Sequence, residues 1–181
     1  IHLDIDYMDN FKVFTWKKDS YEDSDQMIQD LKNMGIKVVT IIDPGVKVEK
    51  GYSVYEEGMD NKYFVTTPEG ETYVNAVWPG DSVFPDFGKP EVRRWWGDKT
   101  RFLLEKGVAG IWNDMNEPAS FHGPLPKDII FTDETRKTTH AEMHNLYGHN
   151  MAKATYEGIK RNSGKRPFVI TRACYSGSQK Y

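Results

Sequence analysis

Short β-branched runs, each stopped by a charged residue and separated by amphipathic helical stretches, constrain this chain most. Lys37-Val38-Val39-Thr40-Ile41-Ile42 suits a strand buried on both faces, and Asp43-Pro44-Gly45 ends it. Val108–Met115 and Arg166–Arg172 are runs of the same kind. Ile1–Met8 alternates apolar and acidic residues before the turn pair Asp9-Asn10 and predicts one more strand, in which Asp4 and Asp6 face the same side. Helical periodicity fills the gaps. Ser24 is placed as the N-cap of a helix to about Met34, with Met27, Ile28, Leu31 and Met34 on one face and Gly35 at C′. Pro90 suits the first turn of a helix to Lys106, whose stripe is Val92, Trp95, Trp96, Phe102 and Leu103, with Trp95 and Trp96 assigned to the core. A third helix spans about Thr139–Lys160, with Met143, Leu146, Tyr147, Met151 and Ala154 on one side.

Strands alternating with helices imply parallel pairing through right-handed crossovers. An open doubly wound sheet and a segment of a (β/α)₈ barrel both satisfy that order. No glycine-rich phosphate loop follows a strand, which weakens a dinucleotide fold. Acids stand instead at the C-terminal ends of successive strands: Asp6, Asp43 and Asp114. In a barrel those ends form the rim where active sites are built. The expected class is therefore α/β, a partial (β/α)₈ TIM barrel. At 181 residues the chain amounts to one domain or part of one, and residues 1–181 are expected to be a barrel segment truncated at both ends.

Residues 44–88 break the alternation. They are rich in Gly, Pro and aromatics and show no helical period, so they are expected to be an insertion after the second strand. Lys62–Thr67 and Glu71–Val77 read there as a hairpin around Pro68-Glu69-Gly70. The segment after Met115, with Pro118, Gly123, Pro124 and Pro126, reads as an irregular loop.

Composition excludes several functions. The net charge of −3 gives no basic excess for nucleic acid, and no apolar run is long enough to span a bilayer. Cys174 is the one cysteine, so there is neither an intrachain disulfide nor a thiolate zinc site, and a cytoplasmic setting is expected. His140 and His144 share a helix face, but His140-Ala141-Glu142-Met143-His144 puts the acid one position, about 100° of helix, away from the zinc-protease spacing. No metal is expected, and His140, His144 and His149 are read as packing or backbone-satisfying groups.

The sharpest chemical signal is Trp112-Asn113-Asp114-Met115-Asn116-Glu117-Pro118, two acids and an amide where a strand ends. Glycoside cleavage needs a carboxylate beneath an anomeric carbon that becomes oxocarbenium-like, as nucleophile or charge stabiliser. A turn whose Asp and Asn cap backbone amides produces the same letters. Trp78, Trp112 and Phe121 are candidate walls for the C–H faces of a sugar.

Taken together, His2–Asp9, Ile42-Asp43-Pro44-Gly45, Val77-Trp78-Pro79-Gly80, Phe84-Pro85-Asp86-Phe87, Trp112–Pro118 and Thr171-Arg172-Ala173 resemble glycoside hydrolase family 31, the α-glucosidase family, along the whole chain. The resemblance implies a (β/α)₈ barrel and a retaining, exo-acting α-glucosidase that needs no metal or other cofactor. It makes Asp114 the nucleophile and Met115 a lining residue. Asp6 binds sugar hydroxyls, with Asp4 ranked behind it as a buried acid. Asp43 becomes a floor residue of the pocket, with Val46 near the sugar. Arg172 is expected to bond a sugar hydroxyl and to hold the nucleophile ionised by lowering its pKa. A retaining mechanism also needs a protonated carboxyl about 5–5.5 Å from the nucleophile. Asp6, Asp43 and Glu117 are the candidates inside the chain, but the family pattern puts this acid/base beyond Tyr181. The isolated segment is then expected to be hydrolytically weak. The implied partner is an α-linked oligosaccharide or α-glucoside, with oligomerisation of the whole enzyme open. The same fold also accommodates an α-xylosidase, a transglycosylase, a lyase or a sugar-binding scaffold without catalysis.

Overall fold

The structure, a computed structural model, describes all residues from 1 to 181. Its centre is a parallel sheet of β1 (His2–Leu3), β2 (Val39–Ile42), β6 (Gly110–Asn113) and β9 (Val169–Thr171), in that spatial order. Every neighbouring pair is parallel, with Val39 opposite Gly110, Ile42 opposite Asn113, and Asn113 opposite Thr171. Spatial order therefore follows chain order, as successive β-α units require. β2 is buried along its whole length, in keeping with a parallel strand covered on both faces.

Helices α1 (Ser24–Asn33), α3 (Pro90–Lys99), α4 (Arg101–Glu105) and α5 (His140–Ser163) make the crossovers. Asp23 rather than Ser24 caps α1, its carboxylate accepting from the Gln26 amide at 3.1 Å. Gly35 follows at φ 78°, the left-handed C′ position that glycine takes without a Cβ penalty. The helix expected over 90–106 is broken at Thr100, whose hydroxyl donates to the Gly97 carbonyl at 2.7 Å. Such back-bonding offers the backbone an alternative to the regular ladder. α3 crosses α5 where Gly97 meets Gly158, and no Cβ fits between the two backbones.

Three expectations are corrected. The first strand ends at Leu3, because the Asp4 carboxylate accepts from the Ile5 amide at 2.7 Å and starts a 3-10 turn over Ile5–Tyr7. Asp4 and Asp6 therefore do not alternate along a strand, and Asp4 is exposed rather than buried. Residues 44–88 do contain a helix, α2 (Ser53–Asp60). They also form an antiparallel sheet of β3 (Val46–Lys47), β5 (Gly80–Val83) and β4 (Val74–Val77). The β4–β5 hairpin turns at Val77–Gly80, and the turn expected at Pro68–Gly70 is also present, closed by the antiparallel Thr66–Thr72 bridge with the Thr67 amide donating to Glu71 O at 2.7 Å and the Tyr73 amide to Val65 O at 3.0 Å. Lastly, the loop after β6 carries a hairpin, β7 (Ile130–Asp133) and β8 (Arg136–Thr139).

One continuous core joins the sheet, the helices and the insertion. Trp96 is fully buried and meets Phe14 and Phe87 edge-on at 4.9 and 5.2 Å. Trp95 packs on the same cluster, but its indole N–H reaches Glu57 at 3.0 Å. Val46 is 0 % exposed and belongs to this core through β3.

Candidate active site

Parallel register brings the acids together. Ile42 and Asn113 are paired, so the residues that follow them, Asp43 and Asp114, leave adjacent strands side by side. The Asp114 amide still donates to Ile42 O at 3.3 Å, which extends the β2–β6 contact one residue past the strand. Arg172 follows Thr171, the partner of Asn113 on the other side, and its amide donates to Asn113 O at 3.0 Å. Two acids and one guanidinium are thus delivered to one edge by three neighbouring strands.

Asn116 locks the loop beyond β6. It is fully buried, donates to the Thr171 hydroxyl at 2.9 Å, and accepts from the Ala173 amide at 3.1 Å. Met115 is held at φ 53°, left-handed for a side chain without branching at Cβ. α5 presses on this same locking point. A Cβ at Gly148 would stand 2.5 Å from Ala173 O and 2.9 Å from Asn116 O, so only glycine lets the helix sit so close.

The Arg172 guanidinium is divided between two carboxylates. Nε and Nη2 donate to Glu117 Oε1 and Oε2 at 2.7 and 3.0 Å, a bidentate fork. Nη1 donates to Asp114 Oδ2 at 3.3 Å, and Nη2 also contacts the Met115 sulfur at 3.2 Å. The shorter bonds go to Glu117, a partner that sequence reasoning considered only as an acid candidate. Burial works against the charged form of Glu117, but the Arg172 bonds outweigh it and hold the carboxyl below its ordinary range. Glu117 is therefore an ionised anchor.

Asp114 behaves in the opposite sense. Burial raises its pKa, the Arg172 charge and the Met115 amide pull it down, and the net shift is upward because burial is the largest effect and the Glu117 and Asp4 charges add to it. The expected lowering by Arg172 is present, but burial outweighs it. Asp43 is 4 % exposed, and burial, then the Asp114 charge, pushes it up to about 7.

Asp4 contributes charge to both Asp43 and Asp114. Asp6 instead lines a crevice with Asp9, Asn10, Phe11 and Lys17, a lining that includes neither Asp114 nor Arg172. Asp4 caps the 3-10 turn while its charge stays with the cluster.

Trp78 and Phe121 come together, edge to face at 5.0 Å and 87°, at 47 and 51 % exposure. The Phe121 amide donates to Ala76 O at 2.9 Å, which ties the post-β6 loop to the inserted sheet. Trp112 is half-buried on β6 between Ile41 and Ile170, and Met115 is 8 % exposed. His140 stacks on Phe131 and meets His144 at 5.1 Å, whereas His149 bonds the Ser178 hydroxyl at 2.8 Å.

A parallel β/α sheet whose strands follow chain order, with carboxyls and a guanidinium at the strand ends, is the arrangement of a segment of a TIM barrel. The chain belongs to glycosyl hydrolase family 31: the profile of the family's TIM-barrel domain matches residues 1–181. Alpha-glucosidase 2 of Bacillus thermoamyloliquefaciens is 47 % identical over 184 residues, covering 100 % of this chain and 23 % of that protein. The glucosidase II alpha subunit bound to alpha3-Glc2 superposes with a TM-score of 0.91 at 38 % identity, over 99 % of this chain and 20 % of that one. A glucose-bound dextranase of the same family from Flavobacterium johnsoniae superposes at 0.89 with 31 % identity, over 100 % and 22 %. The chain thus spans about a fifth to a quarter of the length of these relatives.

Proposed function

We propose that this segment carries the nucleophile half of a retaining, exo-acting α-glucosidase, which removes terminal non-reducing α-linked glucose through a covalent glycosyl-enzyme. The observation that carries this reading is Asp114 at the end of β6, in contact with Arg172 and flanked by Asp43 and Asp4. A carboxylate attacking an anomeric carbon must be ionised yet not neutralised by its partner. The Arg172 charge favours the ionised form of Asp114, and its contacts to that carboxylate are 3.3 Å long, while the shorter bonds go to Glu117. As the bond from the anomeric carbon to the leaving oxygen breaks, an Asp114 oxygen forms the new bond, and water later displaces it. Arg172 keeps donors beside the site as negative charge leaves Asp114. Trp78 and Phe121, a half-exposed aromatic pair, offer faces for the sugar beyond the scissile bond. Asp4 and Asp6 are the exposed acids available to sugar hydroxyls.

The proton for the leaving group comes from elsewhere in the enzyme. Glu117 is ionised in its fork, Asp43 is almost wholly buried, and Asp6 is given to the sugar hydroxyls in this reading. A carboxyl beyond Tyr181 fills that role in this reading. Intact mass after incubation with 5-fluoro-α-glucosyl fluoride tests the nucleophile directly, because fluoride departs without a proton donor. The expected result is one glycosyl adduct per chain, mapped to Asp114 in the whole protein. An adduct on another residue, or none, overturns the reading.

A further inference from the structure

Asp43 is the one member of the carboxyl cluster without a stated task. It is 4 % exposed, and its Oδ1 is buried with no hydrogen-bond partner. An ionised carboxylate with an unsatisfied buried oxygen is costly, and the usual escape is to take up a proton. Its surroundings favour that escape. Asp4 faces it from the end of β1, Asp114 and Glu117 from beyond β6, and Arg172 from the end of β9, so that three further carboxyls share one guanidinium. Tyr7, whose hydroxyl donates to Ile41 O at 2.8 Å, completes the surroundings from the 3-10 turn and brings no positive charge. Both Arg172 bonds to Glu117 and those to Asp114 are formed, and no hydrogen bond from Arg172 reaches Asp43. The carboxyl that is most buried and unbonded to the cation is the one that should be neutral.

We propose that Asp43 is the proton-bearing member of this cluster, a positioning residue whose neutrality leaves the Arg172 guanidinium to Asp114 and Glu117, rather than a charged ligand of the sugar. Once Asp43 loses its proton, a second negative charge stands beside Asp114 and competes for Arg172. Burial and the Asp114 charge push the Asp43 carboxyl up to about 7, so the change falls near neutral pH. The kinetic part of this idea rests on the glucosidase reading; the proton itself does not.

Two measurements on the whole protein separate these dependencies. In pH-difference infrared spectra, a protonated-carboxyl stretch should persist at about pH 6 and be gone by about pH 8. It should shift with carbon-13 in the aspartate side chain and be missing from Asp43→Asn. The isotope shift assigns the band to aspartate in the parent protein even if the variant fails to fold. Absence of any aspartic acid band above about pH 5 overturns the proposal, whatever the substrate. With α-glucosyl fluoride, which needs no general acid, kcat/KM of the parent should fall at least about threefold between pH 6 and pH 8, and Asp43→Asn should lose that step. A step of equal size in the variant, or a loss above about a hundredfold at every pH with native circular dichroism, shows that the charge is needed and overturns the role. If the parent does not turn over the fluoride, the glucosidase reading fails while the infrared result still decides the proton.

Discussion

Replacing Glu117 by Gln tests how the site divides one positive charge. The substitution keeps the shape of the side chain and removes its charge. Arg172 Nε lies 2.7 Å from Glu117 Oε1 and 3.3 Å from Asp114 Oδ1. Those two oxygens, held on one nitrogen, are therefore separated by no more than about 6 Å, where a pair of unit charges interacts by about 0.7 kcal/mol in water and about 2.8 kcal/mol at an effective dielectric of about 20. Side-chain exposures of 37 % for Glu117 and 43 % for Arg172 argue for the watery half of that range. About 1 kcal/mol corresponds to a little under one pH unit.

The sign follows from the direction of the perturbation. The Glu117 charge opposes ionisation of Asp114, and its two bonds hold Arg172 away. Glu117→Gln removes both effects, so the Asp114 pKa falls. The acidic limb of the kcat/KM profile, which reports ionisation of the free enzyme, should move to lower pH by about one unit. At the plateau, kcat should drop by about tenfold, because a carboxylate bonded more tightly to guanidinium is a poorer nucleophile; one strengthened charge-assisted bond of about 1.5 kcal/mol suffices. Stability should change little, since a half-exposed ion pair is worth about 0.2–1 kcal/mol. Steady-state rates from about pH 3.5 to 7 with α-glucosyl fluoride, beside urea melts, supply both readings. An acidic limb that stays put or moves upward would refute the charge-sharing argument. A destabilisation above about 3 kcal/mol would recast Glu117 as a structural strut.

Other parts of the molecule make independent commitments. Gly148→Ala sets a methyl group against Ala173 O and Asn116 O; it should cost about 1–3 kcal/mol in urea melts and lower kcat/KM by at least about tenfold, because the loops it displaces carry Asp114 and Arg172. His140 is 3 % exposed, and burial, then His144, pushes it down to about 4 from 6.5. Its folded pKa is depressed, so the unfolded chain gains a proton first, and stability should fall as pH drops from 6.5 towards 4. His140→Phe, which preserves the stack on Phe131, should remove that part of the slope. Trp78→Ala should raise KM for α-linked oligosaccharides by about tenfold while leaving the rate of trapping by 5-fluoro-α-glucosyl fluoride within about threefold; a loss confined to trapping would place Trp78 at the reacting sugar instead.

The sheet was legible because buried parallel strands have a compositional signature. Val39-Thr40-Ile41-Ile42 and Gly110-Ile111-Trp112-Asn113 are nearly free of charge, and the helices between them carry apolar stripes that end at Gly35 and Gly107. The insertion was less legible. Helix α2 holds Tyr55 and Gly58 in a short amphipathic stretch of eight residues, too brief to establish a period beside so many glycines. Gly58 is there because the Phe64 ring lies against its Cα, a tertiary contact with no local trace in the sequence.

At the site, residue types were legible and their division of labour was not. Strand-end position identified Asp43, Asp114 and Arg172, because parallel register turns equal places on neighbouring strands into contacts. Asp4 and Asp6 do not share a strand face, because that logic assumes the strand continues. The Asp4 side chain itself ends β1 by capping Ile5, and a side chain that bonds its own backbone can override an alternating pattern. The Glu117 fork was beyond sequence reasoning for a similar cause. Asn116 and Thr171 must first lock the loop before Glu117 can face Arg172, and both depend on α5 approaching at Gly148. Arg172 gives its shorter bonds to Glu117 and its longer ones to Asp114, a division of one positive charge that no short motif encodes.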